Sequence, residues 1–107
     1  MIKNAVITNA RLEIEDNGFL SAYLVLDYGG VGQHFGGYVL YTSKKGIKDF
    51  NCAGHFIYRV LKIADVPRWT DLKGKTIRVD LNNNNSIKAI GHIIKDDWFS
   101  PEKDFSE

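Results

Sequence analysis

Three histidines, one cysteine and an adjacent pair of aspartates are the side chains in this 107-residue chain that most readily do chemistry. His34, His55 and His92 are not spaced as paired metal ligands, and a lone Cys52 cannot supply a Cys-x-x-Cys clip. Cys52 and His55 stand three apart at the start of an expected helix, where the helix dipole would favour a thiolate nucleophile. The structural alternative for such a cysteine is a small buried hydrophobe. Asp96 and Asp97 are neighbours, and neighbours in a strand point to opposite faces, so they read as a solvated turn after the last strand rather than an acid–base pair. No Gly-x-Ser-x-Gly elbow occurs. No catalytic residue, metal ligand or cofactor is therefore assigned, and the remaining signals concern binding.

The most unusual stretch is glycine-rich. Five of the ten glycines fall between Gly29 and Gly37, in Tyr28-Gly-Gly-Val-Gly-Gln-His-Phe-Gly-Gly-Tyr38. A Walker loop needs Gly-Lys-Ser/Thr opening a helix, and a dinucleotide fingerprint needs Gly-x-Gly-x-x-Gly between strand and helix; neither pattern fits. One reading is a turn followed by a strand thinned at Gly36 and Gly37, where protein must approach closely. The other is a ligand lying against that bare backbone, flanked by Tyr28, Phe35, Tyr38 and Tyr41. Charge supplies a second signal. Residues 1–42 carry two bases and four acids, residues 43–80 nine and four, and residues 81–107 three and five. The net +1 thus hides a basic middle of +5 between flanks of −2. Lys44, Lys45, Lys48, Arg59, Lys62, Arg68, Lys73, Lys75 and Arg78 form that middle, beside aromatics. Such a zone suits a ligand with phosphates for the cations and bases for the π-faces.

The elements that must position these residues follow from periodicity. Ala10, Leu12 and Ile14 alternate with Arg11, Glu13 and Glu15, as in a half-exposed strand. Asn17-Gly18 is suited to a tight hairpin, because both residues accept positive φ. Phe19 to Tyr28 is apolar on both faces, which predicts an interior strand covered on two sides. Gln33 to Tyr41 makes a third strand of the meander. Ala53, Phe56, Ile57, Val60, Leu61 and Ala64 then fall at helical spacing, with Arg59, Lys62 and Asp65 turned outward. Asn51 is the expected N-cap, and Pro67 the stop. After the helix and a turn at Gly74, Ile77, Val79 and Leu81 alternate with polar neighbours. Asn82 to Asn85 form a tight connection, and Ser86 to Ile94 a last strand. The tail, 95–107, carries Trp98, Phe99 and Phe105, which should pack on the body or on a partner.

The expected fold is α+β in one domain, 1–107: a five-stranded, mostly antiparallel sheet with one main helix, in the order β-β-β-α-β-β. An OB-like barrel has the same order. A composition of 44% hydrophobic and 25% charged residues suits a globular chain and argues against disorder along its length. No apolar run approaches the roughly eighteen residues of a membrane span. A single cysteine rules out an internal disulfide and points to a reducing cytoplasm.

Three stretches carry a family resemblance: Asp27-Tyr-Gly-Gly-Val-Gly-Gln-His-Phe-Gly-Gly-Tyr38, Trp69-Thr-Asp-Leu-Lys-Gly-Lys-Thr-Ile-Arg-Val79 and Ala89-Ile-Gly-His-Ile-Ile-Lys-Asp-Asp-Trp-Phe-Ser-Pro101. With the helix motif Phe56-Ile-Tyr-Arg-Val-Leu61, they cover most of the chain. In these motifs the chain resembles a family of small proteins encoded by tailed bacteriophages. The resemblance implies a phage accessory protein acting in the host bacterial cytoplasm, where compact proteins without catalytic motifs often interfere with host defence. It also implies a polar and aromatic site set of Gln33, His34, Tyr38, Arg78, His92, Lys95, Asp96 and Trp98. Phe35, Gly36 and Gly37 join that set from the glycine stretch, and Arg59 from the basic zone.

The expectation is a non-catalytic binder, an oligomer of identical chains, that sequesters a nucleotide-like signal and so counters host defence. The first alternative is an OB-type module for single-stranded nucleic acid. The second is an inhibitor that docks on a host defence protein, with Trp98 and Phe99 as anchors.

Overall fold

The computed structural model describes residues 1–16, 18–30, 32–41 and 53–104, the side chains of 37–41 and 104 excepted. Asn17, Lys44, Lys45, Lys48, Asn51, Cys52 and Phe105, and the side chains of Tyr38 and Tyr41, lie outside the described residues.

The chain is α+β, as expected, with six strands in one antiparallel sheet instead of five. The strands are β1 (Ile2–Ile14), β2 (Leu20–Asp27), β3 (Gly32–Tyr41), β4 (Thr76–Leu81), β5 (Ile87–Gly91) and β6 (Trp98–Phe99). Helix α1 (Ala53–Ala64) connects β3 to β4, and a single helical turn, α2 (Pro101–Asp104), follows β6. The sheet order is β3-β2-β1-β4-β5-β6. The sixth strand is the two residues read from sequence as part of a tail. Ile90 pairs with Phe99 and Gly91 with Trp98, so the chain doubles back after a short loop. Two residues are too few to show a period, and strand pairing is then invisible in sequence.

β1 serves both halves of the sheet. Ile2 to Val6 pair with β4, and Val6 to Ile14 pair with β2, with a register shift between Ile7 and Asn9 where the strand changes partner. Glu15 and Phe19 close the first hairpin, and Gly18 takes a φ of 86° there, a conformation with no steric cost for glycine. The far end of this hairpin extends past the core. Leu12 is 41% exposed and Ile14 74%, so the apolar face expected to be buried at Leu12 and Ile14 faces solvent. β2 is interior to the sheet but fully covered on one face only: Ala22, Leu24 and Leu26 are buried, while Tyr23 and Val25 on the other face are half-buried.

The helix lies where its periodicity puts it and buries Phe56, Val60, Ile63 and Ala64. The buried stripe is rotated slightly toward Ile63, and Ile57 and Leu61 are half-buried. Arg59 is drawn in as well; its side chain is only 16% exposed, against the outward position expected. The helix ends at Ala64, three residues before Pro67. Asp65 adopts φ 58°, its amide donates to the Lys62 carbonyl and that of Val66 to the Leu61 carbonyl. That bonding pattern is the Schellman stop, with aspartate at the left-handed position usually held by glycine.

Three rings tie the sheet's two edges through the helix. Phe35 of β3, Phe56 of α1 and Phe99 of β6 lie 5.5–6.2 Å apart by centroid, all buried. The sheet therefore curls until its edge strands meet side chain to side chain, while remaining an open six-stranded sheet. Burying each such ring contributes roughly 1.5–3 kcal/mol relative to exposure.

Candidate functional site

The glycine stretch answers first. Gly36 has φ 100°, and a Cβ built there would lie 2.7 Å from the Ala22 carbonyl oxygen and 2.9 Å from Phe56 Cζ. The space beside Gly36 is filled by the protein's own core ring. Phe35, assigned to the ligand set from sequence, is 3% exposed and belongs to that core. Gln33 is half-buried opposite Leu26, and Gly37 and Tyr38 lie in the register shift between Tyr23–Gly36 and Ser21–Val39. Only His34 of this stretch stands in solvent with its side chain described. It stacks on Tyr23 of β2, ring centroids 4.9 Å apart and planes 16° from parallel. Alternation puts both rings on the outer face of the sheet, away from Leu24, Phe35 and the helix.

The second group converges on the loop between β5 and β6. The His92 amide donates to the Asp97 carbonyl at 3.0 Å and closes the loop. His92 Nδ1 accepts from the amides of Ile94 and Lys95, both at 3.0 Å. An imidazole nitrogen accepting two N–H groups carries no proton, so the proton sits on Nε2. Nε2 is buried, has no hydrogen-bond partner within the described residues, and lies 3.6 Å from Asp65 Oδ2 at the helix end.

Two arginines clamp the same loop from opposite sides. Arg78 donates through Nε to the His92 carbonyl (2.7 Å) and through Nη2 to the Lys95 carbonyl (2.8 Å). Arg59 donates through Nη2 to Asp97 Oδ1 (2.9 Å) and to the Trp98 carbonyl (2.8 Å). The Arg59 hydrogen bond is the main reason the Asp97 carboxyl is held below the usual carboxylate range; partial burial works the other way. Trp98 donates its indole N–H to Asp96 Oδ1 at 3.1 Å, and the Arg78 guanidinium lies 5.0 Å from its ring. The ring rests on Gly91, where a Cβ would fall 2.6 Å from it.

Six of the twelve residues expected in a binding site thus meet: Arg59, Arg78, His92, Lys95, Asp96 and Trp98. They meet to bond one another. The two aspartates take separate partners, Asp96 the Trp98 indole and Asp97 the Arg59 guanidinium. Phe99, one of the two expected anchors for a protein partner, is fully buried, and Trp98 is half-buried on Gly91. Asp97, Asp65 and Tyr23 take part in these contacts but lie outside the site set read from sequence. Arg59 and Asp97 are too far apart in the chain for any spacing rule to pair them, whereas the outward position of Tyr23 could have been read from the alternation of β2. Around these groups Arg68 pairs with Asp71 at 3.5 Å, Lys73 and Lys75 are exposed, and His55 lies on an exposed face of α1. Among the described residues no three His, Cys, Asp or Glu side chains are grouped to hold a metal.

Fold and side chains together define a small α+β protein with a curled antiparallel sheet, an arginine-clamped loop at one edge and a stacked ring pair on its outer face. Comparison with protein-family models, curated proteins and solved structures finds no match for the chain.

Proposed function

We propose that the protein is a non-catalytic binder of nucleotide-bearing ligands, which it meets on the outer face of the sheet at Tyr23 and His34. The observation that carries this reading is the parallel ring pair, with His34 exposed and free to extend the stack by one base. Base stacking on an aromatic platform tolerates any base and contributes roughly 1–3 kcal/mol each. The arginine clamp stands apart from this reading, because its guanidinium groups are engaged with the loop.

A nucleotide signal is the ligand the charge balance favours. A net charge of +1, with Arg59 and Arg78 already bonded internally, suits few phosphates better than a long polyanion. In the setting implied by the phage-like motifs, holding such a signal would blunt a host defence. A single strand of nucleic acid is the second reading, and the strand order favours it. A first strand shared between β2 and β4, with a helix between β3 and β4, supports an OB-like reading of the fold, whose β2–β3 face takes oligonucleotides.

Thermal-shift and calorimetric titration with linear nucleotides, cyclic dinucleotides and an oligothymidine, each in a salt series, separates the two. A nucleotide signal stabilises the chain, and His34→Ala weakens it about 5- to 150-fold. Binding of the oligothymidine alone, falling steeply with salt, selects the second reading. No shift with any of these ligands rejects both.

A further inference from the structure

We infer that the distal half of β1 is a dimer interface, where two copies of the chain pair antiparallel about a two-fold axis at Leu12. Three observations converge on it. First, β4 covers the edge of β1 only as far as Val6, and the bonds of Ile7 to Gly74 and Lys75 extend the cover by one residue. From Ala10 to Ile14 no described strand pairs with that edge. Second, the backbone groups there point outward. Glu15 bonds to Phe19, so by antiparallel alternation Arg11 and Glu13 bond toward β2, while Ala10, Leu12 and Ile14 present N–H and C=O to the open edge. The Ala10 amide is turned onto the Asn9 side chain at 2.9 Å, in keeping with a donor that β2 does not receive. Third, Leu12 and Ile14 are 41% and 74% exposed.

The side chains choose the occupant. Outward backbone groups at Ala10, Leu12 and Ile14 allow pairing only in registers that match even-numbered residues with one another. Centring on Leu12 sets Leu12 against Leu12, Ala10 against Ile14, and Arg11 against Glu13 of the other copy, twice by symmetry. Shifting one way sets Glu13 against Glu13; shifting the other sets Arg11 against Arg11. Opposite charges directly across a ladder stabilise it, and like charges destabilise it. One register is thus self-complementary, as an isologous two-fold contact requires. It places the apolar side chains on one face and both ion pairs on the other.

Sedimentation velocity of the full chain at tens of micromolar tests this. Twice the mass of one chain is expected for the wild type. Arg11→Glu and Glu13→Arg should each give a monomer, and the double variant, which restores opposite charges, should give the dimer again. Leu12→Pro removes an amide that faces only the open edge, so it should give a monomer with unchanged far-UV circular dichroism. A monomeric wild type overturns the assignment, as does a dimer that survives the single charge reversals or one that the double variant fails to restore.

Discussion

Asp97 shows how one residue can be fixed by a partner distant in sequence. Its carboxyl is held low by the Arg59 hydrogen bond, with the fields of Arg59 and Lys62 adding. The folded value lies below the unfolded one, so the stabilisation is complete above the ordinary carboxylate range, near pH 4, and is lost as acid carries the pH through the folded value. Asp97→Asn should therefore lower stability by about 1 kcal/mol near neutrality, the partial exposure of the pair keeping the figure small. The gap to wild type should close as acid carries the pH below the ordinary carboxylate range and through the lowered folded value. Urea titrations at a series of pH values read both effects. Gly91 is the complementary case, a residue defined by what rests on it. Gly91→Ala would put a methyl group into the Trp98 ring and force it off its seat, at a cost of about 1–3 kcal/mol. A lower denaturation midpoint and altered tryptophan emission are the expected signatures.

At the level of elements, the loop from His92 to Asp97 is held by side chains rather than by a ladder. His92 Nδ1 takes two amides, and two arginines take three carbonyls and a carboxylate. His92→Ala would leave the Ile94 and Lys95 amides without an acceptor. Their hydrogen exchange should accelerate well beyond that of Val79 and Ile90, whose amides by antiparallel alternation face β1 and β6 inside the sheet. Much of the element plan was legible in the chain: the meander, the helix over 53–64 and the alternation of β4 follow from periods of two and 3.6. The helix stop was assigned to Pro67 because proline is a visible breaker, whereas the Asp65 conformation depends on bonds to Lys62 and Leu61 that no composition rule displays. The short β6 was hidden for a similar reason, since its existence depends on Ile90 and Gly91 receiving it.

For the whole molecule, the site was less legible than the fold. Arg59, Arg78 and Trp98 meet at one loop although separated in sequence, while His34 stands apart on the outer face. The same polar chemistry that recognises a ligand also closes a loop, and residue types alone do not distinguish them. Arg78 is the clearest instance: its guanidinium is bonded to two backbone carbonyls of its own chain. The Gly36 position was readable as a close approach, yet only packing shows that Phe56 makes it. Charge segregation, visible as a sum over segments, names no face until strands are registered.

β1 joins both halves of the sheet, with Ile2 opposite Asp80 at one end and Ile14 opposite Leu20 at the other. On a ribosome the meander of β1, β2 and β3 can assemble early, because its turns are short. The opening residues of β1 must then wait, with their bonding edge bare, until residues 76–81 have been made. Loop closure over that span is slow compared with hairpin formation. The nascent chain thus passes through an interval with a bare strand edge, and its yield in a cell depends on how quickly β4 arrives to cover it.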